Sequence, residues 1–131
     1  RKVQAAMEAT LKHYHLNDIS GHFHDTYGQA LANTLASLEM GVWQYDASVA
    51  GLGGCPYAPG ASGNVCSEDA IHMLDAMGCD TGIDLQRLLP LARQLPAIVA
   101  HEVPGQVAKS GLITDLHPAP PSVAELKKEF S

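Results

Sequence analysis

The stretch Ile19-Ser20-Gly21-His22-Phe23-His24-Asp25-Thr26 decides the fold, because it predicts a strand that passes almost directly into a helix. Asn17-Asp18 predicts a turn before the strand, which we assign to residues 19–24. Asp25 or Thr26 can cap the helix after it, and Gly41 can end that helix. The apolar side chains of this helix recur on one face, at Ala30, Leu31, Leu35 and Leu38.

The same alternation continues on both sides of this unit. Helical spacing of apolar residues predicts a first helix from residue 2 to about residue 14, and residues 42–49 predict a second strand. Ser67-Glu68-Asp69 then opens a third helix, which Gly78 ends. Helix–strand–helix–strand–helix with short connections is typical of parallel α/β units. Since two strands cannot make a stable parallel sheet covered on both faces, we expect further strands from additional sequence or from a second copy of the chain.

The C-terminal part of the sequence is rich in proline. Residues 84–95 have a helical pattern, in which Pro90 lacks a backbone donor and should kink or split the helix, and Pro96 and Pro104 interrupt the chain beyond it. We therefore divide the chain into a domain at 1–113 and a Pro-rich linker with a short helix at 114–131. Ser122-Val123-Ala124-Glu125 matches a capping box for that last helix.

Composition excludes several classes of protein. The net charge of −6 and the absence of a basic cluster argue against a nucleic-acid partner. No apolar run is long enough to cross a bilayer, so we expect no membrane partner. Three cysteines at irregular spacings favour a reduced, cytoplasmic protein over a disulfide framework, and without a CxxC pair they do not predict a thiolate zinc site.

His22 and His24 are the first candidate metal ligands. Residues two apart on a strand project to the same face, so the two imidazoles can form half of a divalent metal site. The alternative is a pair of histidines that only make hydrogen bonds at the end of a sheet. His13 and His15 have the same spacing, but they end a helical pattern in which such residues do not share a face, and we do not expect them to bind metal.

The run Gly51-Leu52-Gly53-Gly54-Cys55-Pro56-Tyr57 predicts a glycine-rich loop after the second strand. It lacks the Gly-Lys-Ser/Thr of a P-loop, and Pro56 interrupts a GxGxxG spacing, so it is not a phosphate loop. Loops that follow strands carry the chemistry of α/β barrels. Cys55 is therefore either an acid, base or hydrogen-bond donor above a substrate, or an incidental small apolar residue.

Two polar residues after this loop complete the candidate set. The amide oxygen of Asn64 is a hard ligand, which favours Mg²⁺ or Mn²⁺ over Zn²⁺ when it is combined with imidazoles and carboxylates. Glu68 lies in the first turn of the third helix, where most carboxylates only complement the helix dipole. Asn64 can equally be an ordinary loop asparagine.

Taken together, these residues resemble the 3-hydroxy-3-methylglutaryl-CoA lyases of the metallolyase TIM-barrel superfamily. The resemblance rests on residues 21–33, 48–58 and 63–65, and it extends over about residues 1–95. The element His22-Phe23-His24-Asp25 is shared by the wider superfamily, whereas the loop that carries Cys55 is specific to the lyases.

The resemblance implies a role for each candidate residue. His22, His24 and Asn64 would bind Mg²⁺ or Mn²⁺, with the two histidines on the seventh barrel strand. Cys55 would lie on a mobile loop that closes over the acyl-CoA substrate, and Gly53 and Gly54 would contact that substrate. His22 and Cys55 would handle protons, and Glu68 would support catalysis from nearby. These implied positions are His22, His24, Gly53, Gly54, Cys55, Asn64 and Glu68.

The implied fold and reaction are those of a larger protein. The reaction is a retro-Claisen cleavage of 3-hydroxy-3-methylglutaryl-CoA to acetoacetate and acetyl-CoA. The implied fold class is α/β, the C-terminal portion of a (β/α)8 barrel from its sixth helix onward. A full barrel has about 250 residues, and the family's first-strand Arg-Asp pair is not in this sequence. We therefore expect the chain to need the N-terminal part of the barrel as its partner and to be inactive alone.

Two other interpretations stay open. The first is a sister metallolyase that acts on another branched 3-hydroxyacyl-CoA. The second is a non-catalytic fragment or scaffold that assembles as a homo-oligomer to cover its sheet.

Overall fold

A computed structural model describes residues 1–55, 57, 58 and 60–115 of the chain. Eight regular elements follow one another along these residues. They are α1 (Lys2–Thr10), β1 (Gly21–His22), α2 (Ala30–Leu38), β2 (Tyr45–Asp46), α3 (Ser67–Ala76), α4 (Leu85–Ala92), α5 (Leu95–Val99) and α6 (Val107–Ser110). Short 3-10 turns lie at Leu16–Asp18, Thr26–Gly28 and Val49–Gly51. The predicted helix–strand–helix–strand–helix order is confirmed.

The two strands form a parallel pair. Gly21 lies opposite Tyr45, and His22 lies opposite Asp46. A Cβ atom on residue 21 would approach the Tyr45 ring to 2.6 Å, so glycine is needed where β1 meets β2. The described residues thus form an α/β structure with an open sheet of two strands.

Both strands are shorter than the predicted 19–24 and 42–49. Beyond Gly21–His22 the chain leaves β2 and pairs with a later segment, through an antiparallel bridge between His24 and Asn64. Beyond Tyr45–Asp46 a parallel bridge joins Ser48 to Cys66. A sequence pattern can predict an extended segment. The segment forms a β-strand only where a neighbouring segment shares backbone hydrogen bonds with it.

The helix bounds also differ from the predicted ones. α1 ends at Thr10 and not near residue 14. α2 begins at Ala30, because Tyr27 and Gly28 adopt left-handed φ angles of +60° and +68° that no helix can include. Asp25 still serves the helix start, since its Oδ1 accepts a hydrogen bond from the Ala30 N–H at 2.9 Å.

Prolines act differently from the prediction in the C-terminal helices. Pro90 lies inside α4, and the helix breaks only after Ala92. Pro96 does not break up the chain as predicted, because it lies in the first turn of α5. Backbone N–H groups in the first turn have no acceptor within the helix, so proline costs no helical hydrogen bond there. The predicted linker and capping-box helix fall on residues 116–131, outside the described residues.

The core has two parts, both of which pack against α3. The larger one consists of buried Ile71, Leu85, Leu89, Ala92, Val107 and Ala108. The smaller one consists of Ala30, Val65 and Ala70. No helix in the described part of the chain is long and apolar enough to span a membrane.

Leu89 gives a direct test of this packing. Its side chain is 3% exposed, so Leu89→Ala should lower the free energy of unfolding by about 2–5 kcal/mol through the lost contacts and the cavity left behind. Leu91→Ala is the matched control, because Leu91 on the same helix is 59% exposed and its truncation should change stability by less than about 0.5 kcal/mol. Urea unfolding measures the free energy of unfolding of both variants. Equal losses in the two variants would contradict the packing described.

Candidate functional site

The predicted site residues other than Glu68 lie at the carboxyl ends of β1 and β2 or on the segments that follow them. His22 ends β1, His24 follows two residues later, and the glycine-rich loop leaves the end of β2. The return of that loop pairs with the chain after β1, where the N–H of Val65 donates to the carbonyl of Phe23 at 2.8 Å. Strand ends that meet at one edge of a parallel sheet are where α/β proteins bind their ligands.

His22 and His24 lie side by side, with ring centroids 5.2 Å apart and ring planes inclined at 53°. The Nδ1 atom of His22 is 2.6 Å from Oδ1 of Asp46, and Nδ1 of His24 is 3.0 Å from the carbonyl oxygen of Ser62. A carboxylate and a carbonyl can only accept, so each ring carries its hydrogen on Nδ1. In a neutral ring the lone pair then lies on Nε2, and the described residues offer neither Nε2 a hydrogen-bond partner.

This arrangement fits part of a divalent metal site. Metal-binding histidines commonly donate one ring N–H to an oxygen acceptor and bind the metal through the other nitrogen. Asn64 donates its Nδ2 hydrogen to the carbonyl of Leu52 at 2.9 Å, which leaves its Oδ1 atom as a possible hard ligand. Across residues 1–55 and 60–115, no group of three or more His, Cys, Asp or Glu could hold a metal ion. The chain therefore offers two imidazoles and one amide oxygen, fewer than the six ligands that Mg²⁺ takes.

The loop begins at a strained hinge. Ala50 is fully buried with a left-handed φ of +60°, an uncommon conformation for a residue with a Cβ atom. Both of its backbone groups have partners on distant segments. Its N–H donates to both carboxylate oxygens of Glu68 at 3.0 and 3.1 Å, and its carbonyl accepts from Gly105 at 3.2 Å.

Glu68 does not reach the open surface of the site. Its side chain is fully buried in the first turn of α3, and it acts on the base of the loop. Gly105 closes over it, because a Cβ atom at residue 105 would lie 2.8 Å from Oε1 of Glu68. The structure therefore brings Glu68 to the hinge of the loop and not to the histidine pair.

The rest of the loop folds back tightly and exposes its cysteine. A Cβ atom on Gly53 would lie 2.5 Å from Nδ2 of Asn64, so the loop can approach Asn64 only with glycine there. Gly54 has a φ of +139°, which also favours glycine. Cys55 is exposed next to these two glycines. The neighbouring cavity of about 580 Å³ is lined in part by Gly53, Ser62 and His101.

The other two cysteines are placed differently. Cys66 is buried beside α3, and burial raises the pKa of its thiol well above the ordinary value. It therefore stays protonated at neutral pH and packs as a small apolar residue. Cys79 is half-buried after α3.

Sequence reasoning missed the partners of the site residues. Asp46, Ser62 and Gly105 were not singled out, although each forms one of the contacts above. Asp46 had a usable signal, since aligning the two predicted strands in parallel brings a carboxylate near His22. Ser62 and Gly105 act through backbone atoms, which leave no signal in the residue type.

Comparisons with known proteins agree on one family. The sequence profile of the HMGL-like family matches residues 1–95. The chain is 58% identical over 83 residues to the mitochondrial hydroxymethylglutaryl-CoA lyase of Gallus gallus, covering 63% of this chain and 28% of that protein. It is 47% identical over 104 residues to the human mitochondrial enzyme, covering 79% and 32%.

Solved structures give the same result. A hydroxymethylglutaryl-CoA lyase from Acinetobacter baumannii, in complex with coenzyme A and 3-methylmalate, superposes with a TM-score of 0.85 at 47% identity, covering 90% of this chain and 39% of that one. The Bacillus subtilis lyase superposes with a TM-score of 0.77 at 42% identity, covering 82% and 36%. The chain thus spans roughly a third of the length of its relatives. On the match to residues 1–95 and these identities, the chain belongs to the HMGL-like family.

Proposed function

We propose that the protein containing this chain is a divalent-metal-dependent carbon–carbon lyase that cleaves 3-hydroxy-3-methylglutaryl-CoA to acetoacetate and acetyl-CoA. The observation that carries the proposal is the pair of imidazoles with free Nε2 atoms beside the loop that exposes Cys55. The names of the relatives support the reaction. The coenzyme A in the Acinetobacter baumannii structure supports an acyl-CoA as substrate.

For the fold, we propose the C-terminal portion of a (β/α)8 barrel. The parallel pair β1 and β2 joined through α2 supports this, since it repeats the unit from which such barrels are built. Large apolar side chains such as Trp43, which is 63% exposed, support further protein packed against this part. The N-terminal part of the barrel is the partner that would cover them.

His22, His24 and Asn64 are proposed as ligands of Mg²⁺ or Mn²⁺, and the remaining ligands would come from outside this chain. A divalent ion bound there would lower the pKa of the substrate's tertiary hydroxyl and orient its oxygens. The chain's own contribution is to hold two imidazole nitrogens in fixed directions.

The proton that ends the reaction is assigned to Cys55. As the carbon–carbon bond breaks, the tertiary hydroxyl gives its proton to a base and its carbon becomes the ketone of acetoacetate. The electron pair of the broken bond forms the enolate of acetyl-CoA, whose carbon must then receive a proton from an acid, so the two proton transfers cancel. A thiol on an exposed loop can reach it as a general acid. His22 was also a candidate for proton transfer, but its Nδ1 is engaged by Asp46, so its one free nitrogen serves better as a ligand.

Glu68 is proposed to support catalysis through the loop. Its carboxylate holds the Ala50 N–H at the strained hinge, and the hinge sets where Gly53, Gly54 and Cys55 lie. Gly53 and Gly54 are proposed as the part of the loop next to the substrate, because a backbone without side chains allows close approach. Glu68 is thus a positioning residue and not a group that touches substrate.

The sister-metallolyase alternative has one observation in its favour. A Pseudomonas aeruginosa relative, 49% identical over 92 residues, is named a 3-hydroxy-3-isohexenylglutaryl-CoA and hydroxymethylglutaryl-CoA lyase. Comparing rates on acyl-CoAs with short and long branches separates the two substrates.

Cytoplasmic localisation stays a prediction, and some relatives are named as mitochondrial.

The proposed roles predict that substitutions of Cys55 and His24 reduce activity, whereas substitutions of a cysteine and a histidine outside the site do not. In the natural protein, Cys55→Ser should lower kcat by about 10²- to 10⁴-fold, because the hydroxyl is a much weaker acid than the thiol. His24→Ala should raise the Mn²⁺ concentration needed for activity. Metal-dependent release of acetoacetate measures both effects.

Cys79→Ser and His13→Ala are the matched controls, since both residues lie away from the strand ends. They should leave kcat within about twofold, because neither side chain lies at the histidine pair or on the loop that carries Cys55. Full activity in Cys55→Ser and His24→Ala would contradict the assigned roles.

Glu68→Gln should act through the loop hinge. The amide keeps the shape of the side chain, but only one of its two terminal atoms can accept from Ala50, so we expect unfolding to become easier by about 1–3 kcal/mol. The apparent KM for the acyl-CoA should change together with kcat, because the loop carries the proposed substrate contacts. Exposed Glu39→Gln is the control. An unchanged KM and an unchanged free energy of unfolding in Glu68→Gln would refute the hinge role.

A further inference from the structure

Asp46 is a carboxylate in direct contact with the histidine pair, and the proposed function gives it no chemistry of its own. It ends β2 directly opposite His22 in the parallel register. Paired residues on neighbouring strands project to the same face of the sheet. The 2.6 Å contact between Oδ1 of Asp46 and Nδ1 of His22 is therefore set by the register of the strands.

The pair contributes little to the stability of the fold. The side chains of His22 and Asp46 are 56% and 63% exposed, and exposed pairs of this kind are screened by water and salt. A short, well-placed contact with little value for stability calls for another explanation.

The contact controls which nitrogen of His22 is free. Because a carboxylate accepts only, the shared hydrogen belongs to Nδ1, and the lone pair of the ring lies on Nε2. The contact also fixes the rotation of the ring about its side-chain bonds. His24 is held in the same tautomer by the Ser62 carbonyl at 3.0 Å, so Nε2 is the free acceptor on both rings.

We propose that Asp46 is a positioning residue of the metal site, which holds His22 with its Nε2 atom turned toward the bound divalent cation. The inference rests on the proposed function, because it needs a cation at His22 and His24. It adds a residue that does not itself touch the cation. Carboxylates behind metal-binding histidines typically strengthen metal binding about 10- to 100-fold.

The test is a titration of the full-length protein with Mn²⁺, in which the electron paramagnetic resonance signal of free Mn²⁺ reports how much is bound. Asp46→Ala should raise the dissociation constant about 10- to 100-fold. Asp46→Asn should raise it less, because the amide oxygen can still accept from Nδ1. Asp18→Asn, an exposed aspartate just before β1, is the matched control and should bind as the parent protein does.

A second readout needs no metal. Nitrogen NMR of the His22 ring should show hydrogen on Nδ1 in the parent protein and a mixture with the Nε2–H tautomer in Asp46→Ala. Circular dichroism and the midpoint of thermal unfolding verify that each variant is folded. If Asp46→Ala does not fold, Asp46→Leu supplies both readouts, because it keeps the size of the side chain and has no acceptor for Nδ1–H.

The outcomes separate this inference from the proposed function. Weaker Mn²⁺ binding with a changed tautomer in the variant that lacks an acceptor at residue 46 supports the inference. Unchanged binding in that variant, together with weakened binding in His24→Ala, overturns the inference and leaves the lyase assignment standing. A parent protein that binds Mn²⁺ no better than His24→Ala overturns both.

Discussion

The parallel register of β1 and β2 is the constraint on which the rest of the site depends. Gly21 opposite Tyr45 lets the strands approach closely, and this approach places His22 opposite Asp46. A shift of one strand by one residue would turn its side chain to the other face of the sheet and separate the imidazole from its carboxylate. The chemistry proposed for the histidines thus begins with a glycine that does no chemistry.

The glycine-rich loop depends on a second set of contacts, made by its two ends. Its start is fixed at Ala50 by Glu68 and Gly105, and its return is fixed by the pairing of residue 64 with His24. Between these anchors lie glycines with positive φ, and the exposed Cys55 directly follows two of them, Gly53 and Gly54. A loop with fixed ends and a glycine-rich middle suits the role proposed for Cys55, because its backbone can approach a substrate closely.

Local signals made much of this predictable. Periodicity and capping residues predicted the order of helices and strands, and the spacing of His22 and His24 predicted that they lie together, as they do. The same signals failed wherever a distant segment decides the outcome. Strand lengths depend on which neighbours accept hydrogen bonds, and Glu68 is buried against Ala50 because of a fold-back of 18 residues that no local pattern records.

Binding of a divalent cation by His22 and His24 through Nε2 would be seen in anomalous diffraction from crystals of the full-length protein grown with Mn²⁺. We expect an Mn²⁺ peak in contact with Nε2 of both histidines and with Oδ1 of Asn64, while Nδ1 of His22 keeps its contact with Asp46. Mn²⁺ bound elsewhere, or bound through Nδ1 with Asp46 displaced, would contradict it.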